Sequence, residues 1–525
     1  MGNRDIQAAL DYHEATKHSE RSIQANSHFL DWANQPLPFK IYPDLEPIPL
    51  AKNLAARKVS ALEAISRSSD PRAVSGHDAR IPDLAALSRV LYLGAGITRW
   101  KRHANGAMAF RAYANTGALY HVDLYLVTGG LDDLPDGVYH FGPHDFALRQ
   151  LRTGDYRRLL VEASGENPEI IRAPVVVVSA STYWRNAWKY QARAYRHCFW
   201  DGGTLHANLL AAAAVEDLEP SVVIGYADRP VEKLLGLDPL REGTLTMVPL
   251  GRSRQRAPPA PEVSELRLQT EPLSRSEVDY PKIRAAHAAS ALADGAEAAL
   301  WRGSNPANAE RKTTGSLHPL RPKQDSDLAP TSLEEVIRKR GSTRAFDPTW
   351  SLSFGDLSTV LDRSTRGVPA DFLDPAGASL LDLYLIVNDV RGLPAGAYYY
   401  RRCEQSLELL REGDSREVAG RLGLDQKLAA DAAVDVYSLT DLGSVLARFG
   451  NRGYRAAQLE GGITGGRMYL AAYAQRFGAS GLTFFDDEVT EFFGPHAAGK
   501  SVMFLVALGG PYRASPKRLA HGLGK

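Results

Sequence analysis

Residues 123–127 read DLYLV and residues 382–386 read DLYLI, 259 positions further on. The same offset pairs Leu134-Pro135 with Leu393-Pro394, Tyr139 with Tyr398, and Tyr195-Arg196 with Tyr454-Arg455. It also pairs Gly202-Gly203 with Gly461-Gly462 and Asp228 with Asp487. An offset this long, held from residue 123 to residue 228, marks a duplicated domain and not a short solenoid unit, whose period is roughly 20–50 residues. The chain has to fold as two copies of one unit.

Each copy has the same coarse layout. A helical pattern (84–96; 354–364) leads into a strand (122–128; 381–388), a Pro/Gly turn and a second short strand, which together read as a hairpin. In the first copy an apolar strand follows at 173–181; in both, a long Ala/Leu helix begins at the Gly-Gly pair and a closing strand ends the unit. Strands mixed with long helices predict an α+β fold in layers, not a doubly wound sheet. Residues 252–330 are rich in Pro, Ser and Arg and read as linker, with one helix at 281–294. The expected domains are an N-terminal arm over 1–50, a first domain over 51–255, a linker over 256–330 and a second domain over 331–525.

Lys and Arg number 62 against 61 Asp and Glu, so the net charge of +1 supplies no bulk attraction to nucleic acid. Two cysteines, Cys198 and Cys403, cannot build a disulfide framework and fit a reducing compartment. The first twenty residues lack the apolar stretch of a signal peptide, and no apolar run nears the ~18 residues of a membrane span. The expectation is a cytoplasmic protein without membrane or nucleic-acid partners.

GPHAAGKS at 494–501 matches the phosphate-loop pattern G-x-x-x-x-G-K-[ST]. A working phosphate loop follows a strand and opens a helix, so that helix N-terminal amides face the phosphates. Here a helical segment precedes it and a strand follows, so it reads as a turn. His140 and His144, four apart without a third ligand, read as a surface pair and not as zinc ligands; no metal is expected.

RKRGSTRAFDP at 338–348 gathers Arg338, Lys339, Arg340 and Arg344 around a Gly-Ser pair, and guanidinium forks beside a hydroxyl can hold a phosphate. Arg340-Gly341-Ser342-Thr343-Arg344, followed by Ala-Phe-Asp, resembles the R-x-S-x-R motif with which nitroreductase-like flavoproteins grip FMN. The opening DYHEATKHSERSIQANSHFLDWANQPLPFK, with RAYANTGALYHVDLYLV, WKYQARAYRH and GASGLTFFDDEV, resembles the SagB/ThcOx-type dehydrogenase branch of that superfamily.

The resemblance implies an α+β fold that ordinarily dimerises, with FMN across the interface. A tandem chain would meet that need as an intramolecular pseudo-dimer, with higher oligomers still open. Arg340, Gly341, Ser342 and Arg344 would come from the second copy. Asn115, Thr116 and Gly117 of the first copy, within Ala114–Ala118, stand where the family has Pro-Ser-x-Gly-Ala, with departures at Ala114 and Asn115. Gly481, Leu482 and Thr483 match the segment beside the flavin edge, where their amides would stabilise charge on the reduced ring. Lys517 and Arg518 resemble a C-terminal basic element that closes on the phosphate.

Lys189-Tyr190 matches the Lys-Tyr pair that azoline-oxidising members carry near the flavin. The offset places Arg448-Phe449 at the equivalent positions, while SRSSDPRAV at 66–74 stands where the first copy should carry R-x-S-x-R. Each copy has lost what the other keeps, which is the pattern of one composite site. Tyr190, with a free pKa of about 10, would take a proton, and Lys189 would lower that pKa. The expected function is an FMN-dependent dehydrogenase oxidising a C–N or C–C bond in a peptide-derived or small-molecule substrate, alongside biosynthetic partner enzymes. An NAD(P)H-dependent nitro- or quinone reductase and a catalytically silent flavin-binding scaffold are the alternatives.

Overall fold

A computed structural model describes residues 2–70, 80–103, 106–303, 312–327 and 330–512. It contains two large antiparallel sheets, one per repeat. The first runs, from edge to edge, Pro47–Pro49, Ala147–Thr153, Gly137–Gly142, Val122–Thr128, Val175–Thr182, Glu242–Leu250. The second keeps that order as Leu317–Pro319, Ser406–Glu412, Gly396–Arg401, Asp382–Val387, Val434–Thr440, Ser501–Gly509, and adds Gly478–Gly481 at the far edge. Helices cover the sheets, giving the α+β class and the paired halves that the repeat predicts. Beside the sheets stands a two-stranded ribbon, Ile97–His103 with Gly106–Arg111, which the hydrophobic pattern did not reveal.

Two long helices, Ala194–Val215 and Arg452–Ala474, pack against each other between the sheets. They touch at their Gly-Gly pairs. A Cβ built on Gly203 would lie 2.6 Å from the Gly462 Cα, and one on Gly462 would lie 2.5 Å from the Trp200 carbonyl oxygen. Any side chain there would force the backbones apart, so the glycines of the repeat set the closeness of the two halves. Every residue of the first central helix is buried, so the charges it carries must be paired internally.

They are paired across the repeat. Arg193 and Arg196 of the first half hold Asp486 of the second at 3.1 and 2.6 Å. Arg452 and Arg455 of the second half hold Asp228 of the first at 2.6 and 2.7 Å. The true counterpart of Asp228 is therefore Asp486, which like Asp228 opens a short helix, and not Asp487 as the constant offset predicts. Asp487 is exposed and pairs with Lys17 at 2.8 Å.

The expected linker differs from its reading. In place of one helix at 281–294 it carries two, Pro281–Ala289 and Gly295–Trp301, and the strand Leu317–Pro319. The first helix repeats the arm helix Gln7–Ala15. Arg196 donates from Nε to Thr16 Oγ1 (3.0 Å) and from Nη2 to the His13 carbonyl (2.7 Å). Arg455 donates from the same atoms to Ser290 Oγ and the His287 carbonyl, both at 2.7 Å. The strand Pro47–Pro49 closes one sheet edge just as Leu317–Pro319 closes the other. Among the described residues no helix is long and apolar enough to cross a membrane.

Candidate functional site

Helix Leu333–Lys339 begins at Ser332, whose hydroxyl accepts from the Glu335 amide, and ends where Arg340 turns into extended backbone. That turn sends the Arg340 side chain into the first half. Its Nε donates to the Ala112 carbonyl at 2.7 Å and its Nη2 to the Arg111 carbonyl at 3.1 Å, and only 8% of the residue is exposed. Burial lowers its pKa; the groups acting on it most are the phenols of Tyr120, Tyr469 and Tyr473 and the guanidinium of Arg99, none of them a carboxylate. A buried cation without a counter-ion costs several kcal/mol, so the arrangement fits an anion.

Next along the chain, a Cβ on Gly341 would meet nothing within 4 Å, and Ser342 Oγ lies 3.1 Å from the Tyr469 hydroxyl. The Thr343 amide donates to the Ala479 carbonyl at 3.0 Å. Arg344 is exposed and pairs with no carboxylate among the described residues.

In the first half, Asp201 builds the loop that faces this segment. It accepts from Asn115 Nδ2 (2.9 Å), the Thr116 amide (2.9 Å) and Thr116 Oγ1 (2.8 Å), and pairs with His121 Nε2 at 2.8 Å. His121 Nδ1 in turn lies 2.8 Å from Ser181 Oγ. The loop then bends through Gly117 at φ +64°, and a Cβ there would sit 2.8 Å from the Tyr190 hydroxyl. Glycine is what lets the loop rest on that hydroxyl.

Tyr190 ends helix Tyr183–Tyr190. Burial first, and then the Asp201 carboxylate, push its phenol well above the ordinary tyrosine value, while Arg344 pulls it down. A residue of the second half thus acts on the hydroxyl of the first. The Lys189 ammonium lies over the Tyr190 ring, 5.3 Å from the centroid, and Arg344 is a cation from the other half that favours the phenolate. Their net effect is a phenol that keeps its proton.

Arg340 thus reaches the chain just before the Asn115–Gly117 loop, Arg344 acts on the Tyr190 that this loop touches at Gly117, and Ser342 and Gly481 are joined through the Tyr469 hydroxyl. The amides of Gly481 and Leu482 are not free for a ligand, because they donate to the Tyr469 hydroxyl and the Leu505 carbonyl. The Thr116 amide is likewise spent on Asp201. Thr483 Oγ1 is buried without a hydrogen-bond partner among the described residues. Lys517 and Arg518 lie outside the described residues, as does the end of the 66–74 segment. Asp201, His121 and Tyr469 are the contributors that motif reading missed. The signal for Asp201 was present: an acid precedes Gly-Gly in both copies, and Glu460 accepts from the Leu380 amide at 2.9 Å.

The matching place in the other half is filled. Trp301, 1% exposed, packs at a tilt against Phe449 with ring centroids 5.2 Å apart and donates from Nε1 to its carbonyl at 2.7 Å. Arg448 donates to the Arg302 carbonyl at 2.9 Å.

Other sequence features fall away from the site. Lys500 of the phosphate-loop-like segment pairs with Asp382 at 2.5 Å, as a turn into the last strand allows. His140 is fully buried between the rings of Tyr42 and Tyr125, which overturns its reading as half of a surface pair. Asp228, Glu232 and His287 converge closely enough to hold a metal, yet Asp228 is spent on two guanidiniums.

Residues 337–510 match the nitroreductase family. Over nearly its full length the chain is similar to a crystal structure of a provisionally named nitroreductase from Anabaena variabilis ATCC 29413. The identity is 26% and the TM-score 0.75, covering 96% of this chain and 99% of that one. A provisionally named nitroreductase of Methanocaldococcus jannaschii is 23% identical over 169 residues, 32% of this chain and 80% of the relative. The trifolitoxin-processing protein TfxB of Rhizobium leguminosarum bv. trifolii is 26% identical over 160 residues, 30% of this chain and 43% of that protein.

Proposed function

We propose that this chain is an FMN-dependent oxidoreductase with one composite site, acting as a dehydrogenase on a C–N or C–C bond of the azoline-to-azole type in a peptide-derived or small-molecule substrate. The observation that carries the reading is Arg340, a buried guanidinium without a counter-ion among the described residues, reaching from the second half onto the loop of the first. Arg340 and Arg344 would hold the phosphate, with Ser342 beside them, and Gly117 and Thr483 would line the ring. The likeness to nitroreductases supports the flavin, and the likeness to a trifolitoxin-processing protein supports a peptide-derived substrate with partner enzymes.

Bound there, FMN would supply the acceptor for a hydride from the substrate carbon. Tyr190 Oη is the group placed to move the accompanying proton. Burial and Asp201 favour the protonated phenol. In an oxidation Tyr190 would therefore first have to release its proton to solvent, leaving a phenolate that Arg344 would stabilise, and would then accept the proton that the substrate loses. Lys189 screens the ring face, and Asp201 keeps the loop seated on the hydroxyl.

One observation favours a second reading. A phenol that holds its proton is suited to donate it, which is the requirement of an NAD(P)H-driven reductase. A silent scaffold would bind the flavin and turn nothing over. Anaerobic mixing with an azoline-bearing peptide or with NADPH separates the three: bleaching of the flavin by the peptide supports the dehydrogenase, bleaching by NADPH alone supports the reductase, and bleaching by neither leaves the scaffold.

A further inference from the structure

The ribbon Ile97–His103 with Gly106–Arg111 stands apart from both large sheets and meets the site at its base. Arg111 ends the ribbon, and the carbonyls of Arg111 and Ala112 are the ones that hold Arg340. The guanidinium of Arg99 acts on that of Arg340. The fold does not require the ribbon, because the second half has no strand between its helix Phe354–Ser364 and its strand Asp382–Val387.

The ribbon carries charge of one sign. No Asp or Glu occurs between Asp83 and Asp123, while the first strand holds Arg99, Lys101 and Arg102, all exposed. None of the three pairs with a carboxylate among the described residues; Arg99 lies instead over the Phe110 ring, 4.8 Å from its centroid. Helix Leu333–Lys339, which packs against this strand, spends its own acids internally. Glu334 pairs with Arg338 at 2.9 Å and Glu335 with Lys339 at 2.6 Å.

The strand edge is also open. Neither strand of the ribbon pairs with a third, and among the described residues no backbone group of 98–102 bonds outside the ribbon. Charges alone guard such an edge against self-pairing. Here they stand beside Trp100, 52% exposed, and Met108, 42% exposed, which guarding does not call for. Side chains alternate along a strand, so Arg99 and Lys101 share one face while Trp100 and Arg102 share the other. A strand laid along that edge would set acids beside Arg99 and Lys101 and an apolar residue beside Trp100.

We infer that the open edge of Ile97–His103 docks an extended acidic segment of the peptide substrate by strand addition, leading the rest of the peptide to the site at the ribbon's base. A strand edge needs a partner backbone with both N–H and C=O groups, which a peptide has and a nucleic acid lacks. The inference rests on the peptide-derived substrate proposed above. It is read by binding without turnover, so failure of the redox reading would leave its outcome standing.

Fluorescence anisotropy of dye-labelled octapeptides on the full chain as purified decides it. The alternating peptide (Glu-Val)4 should bind saturably. (Gln-Val)4, which lacks the charge, and (Glu-Pro)4, which lacks every second N–H, should each bind at least tenfold more weakly. Lys101→Glu combined with Arg102→Glu reverses two exposed charges and should weaken (Glu-Val)4 at least tenfold. Trp100→Ala leaves the charges in place and should weaken it at least threefold. No saturable binding of (Glu-Val)4, equal binding of (Glu-Pro)4, binding unchanged by the charge reversal, or tighter binding of an eight-nucleotide oligothymidylate than of (Glu-Val)4 would overturn the inference.

Discussion

Tyr190→Phe removes one hydroxyl and leaves the ring that packs beside the Gly117 loop. The fold and the bound flavin should therefore survive while turnover falls by roughly 10²–10⁴, the usual worth of a positioned acid–base group. The neighbours divide by the sign of their action on that hydroxyl. Asp201→Asn removes a carboxylate that raises the phenol, so the Tyr190 titration should move down towards the ordinary value of about 10. Arg344→Ala removes the cation that lowers it, and the titration should move up. Following tyrosinate absorbance against pH in each variant checks both directions, and an upward shift in Lys189→Ala would show that Lys189 acts on the phenol together with Arg344. Arg448→Ala is the internal control and should leave turnover within a few-fold of wild type. The sequence brought Lys189 and Tyr190 forward because they resemble a family pair that the second copy replaces with Arg448-Phe449. Arg344 is legible in the sequence only as part of R-x-S-x-R and Asp201 only as the acid before Gly-Gly, and no local spacing shows that either acts on Tyr190. Folding alone makes them neighbours.

Among the elements, the two central helices were the most legible, because Gly-Gly and a run of Ala mark close packing in both copies. Their ion-pair partners were less so. The helices that begin at Asp228 and Asp486 are one residue closer than the repeat offset, and that single deletion moved the prediction onto exposed Asp487. The second arm was hidden for a related reason. His13 and His287 stand 274 positions apart, not 259, and the interaction they share is made by a backbone carbonyl, which any residue supplies. Composition therefore registered a linker where the chain repeats its arm. The clamps make a stability prediction. Asp228→Ala leaves Arg452 and Arg455 buried and unpaired, so it should cost about 3–5 kcal/mol in denaturant unfolding. Arg452 and Arg455 also hold the Asp228 carboxyl down to about 2, against about 3.9 for an unfolded aspartate. A depressed carboxyl stabilises the fold above the unfolded value and loses that contribution as pH falls towards 2. Acid unfolding of the wild type should therefore steepen below about pH 4, and Asp228→Asn should flatten that limb.

The whole molecule is a dimer-like arrangement written into one chain, with one of its two equivalent places holding the buried Arg340 and the other occupied by Trp301 packed on Phe449. The reciprocal loss of R-x-S-x-R and of Lys-Tyr was readable from the repeat. The filling of the second place was not, because Trp301 comes from the stretch that composition assigned to linker. Arg340 and Arg344 are the two cations offered to the phosphate, each charge-assisted contact being worth roughly 1.5–3 kcal/mol. Replacing both by Ala should weaken flavin binding about a hundredfold or more. The most direct test is the flavin content of the purified chain, read as the ratio of FMN released on denaturation to protein. One composite site predicts about one FMN per chain, and Trp301→Ala should not by itself raise that number. Two tightly bound FMN per chain would contradict the account.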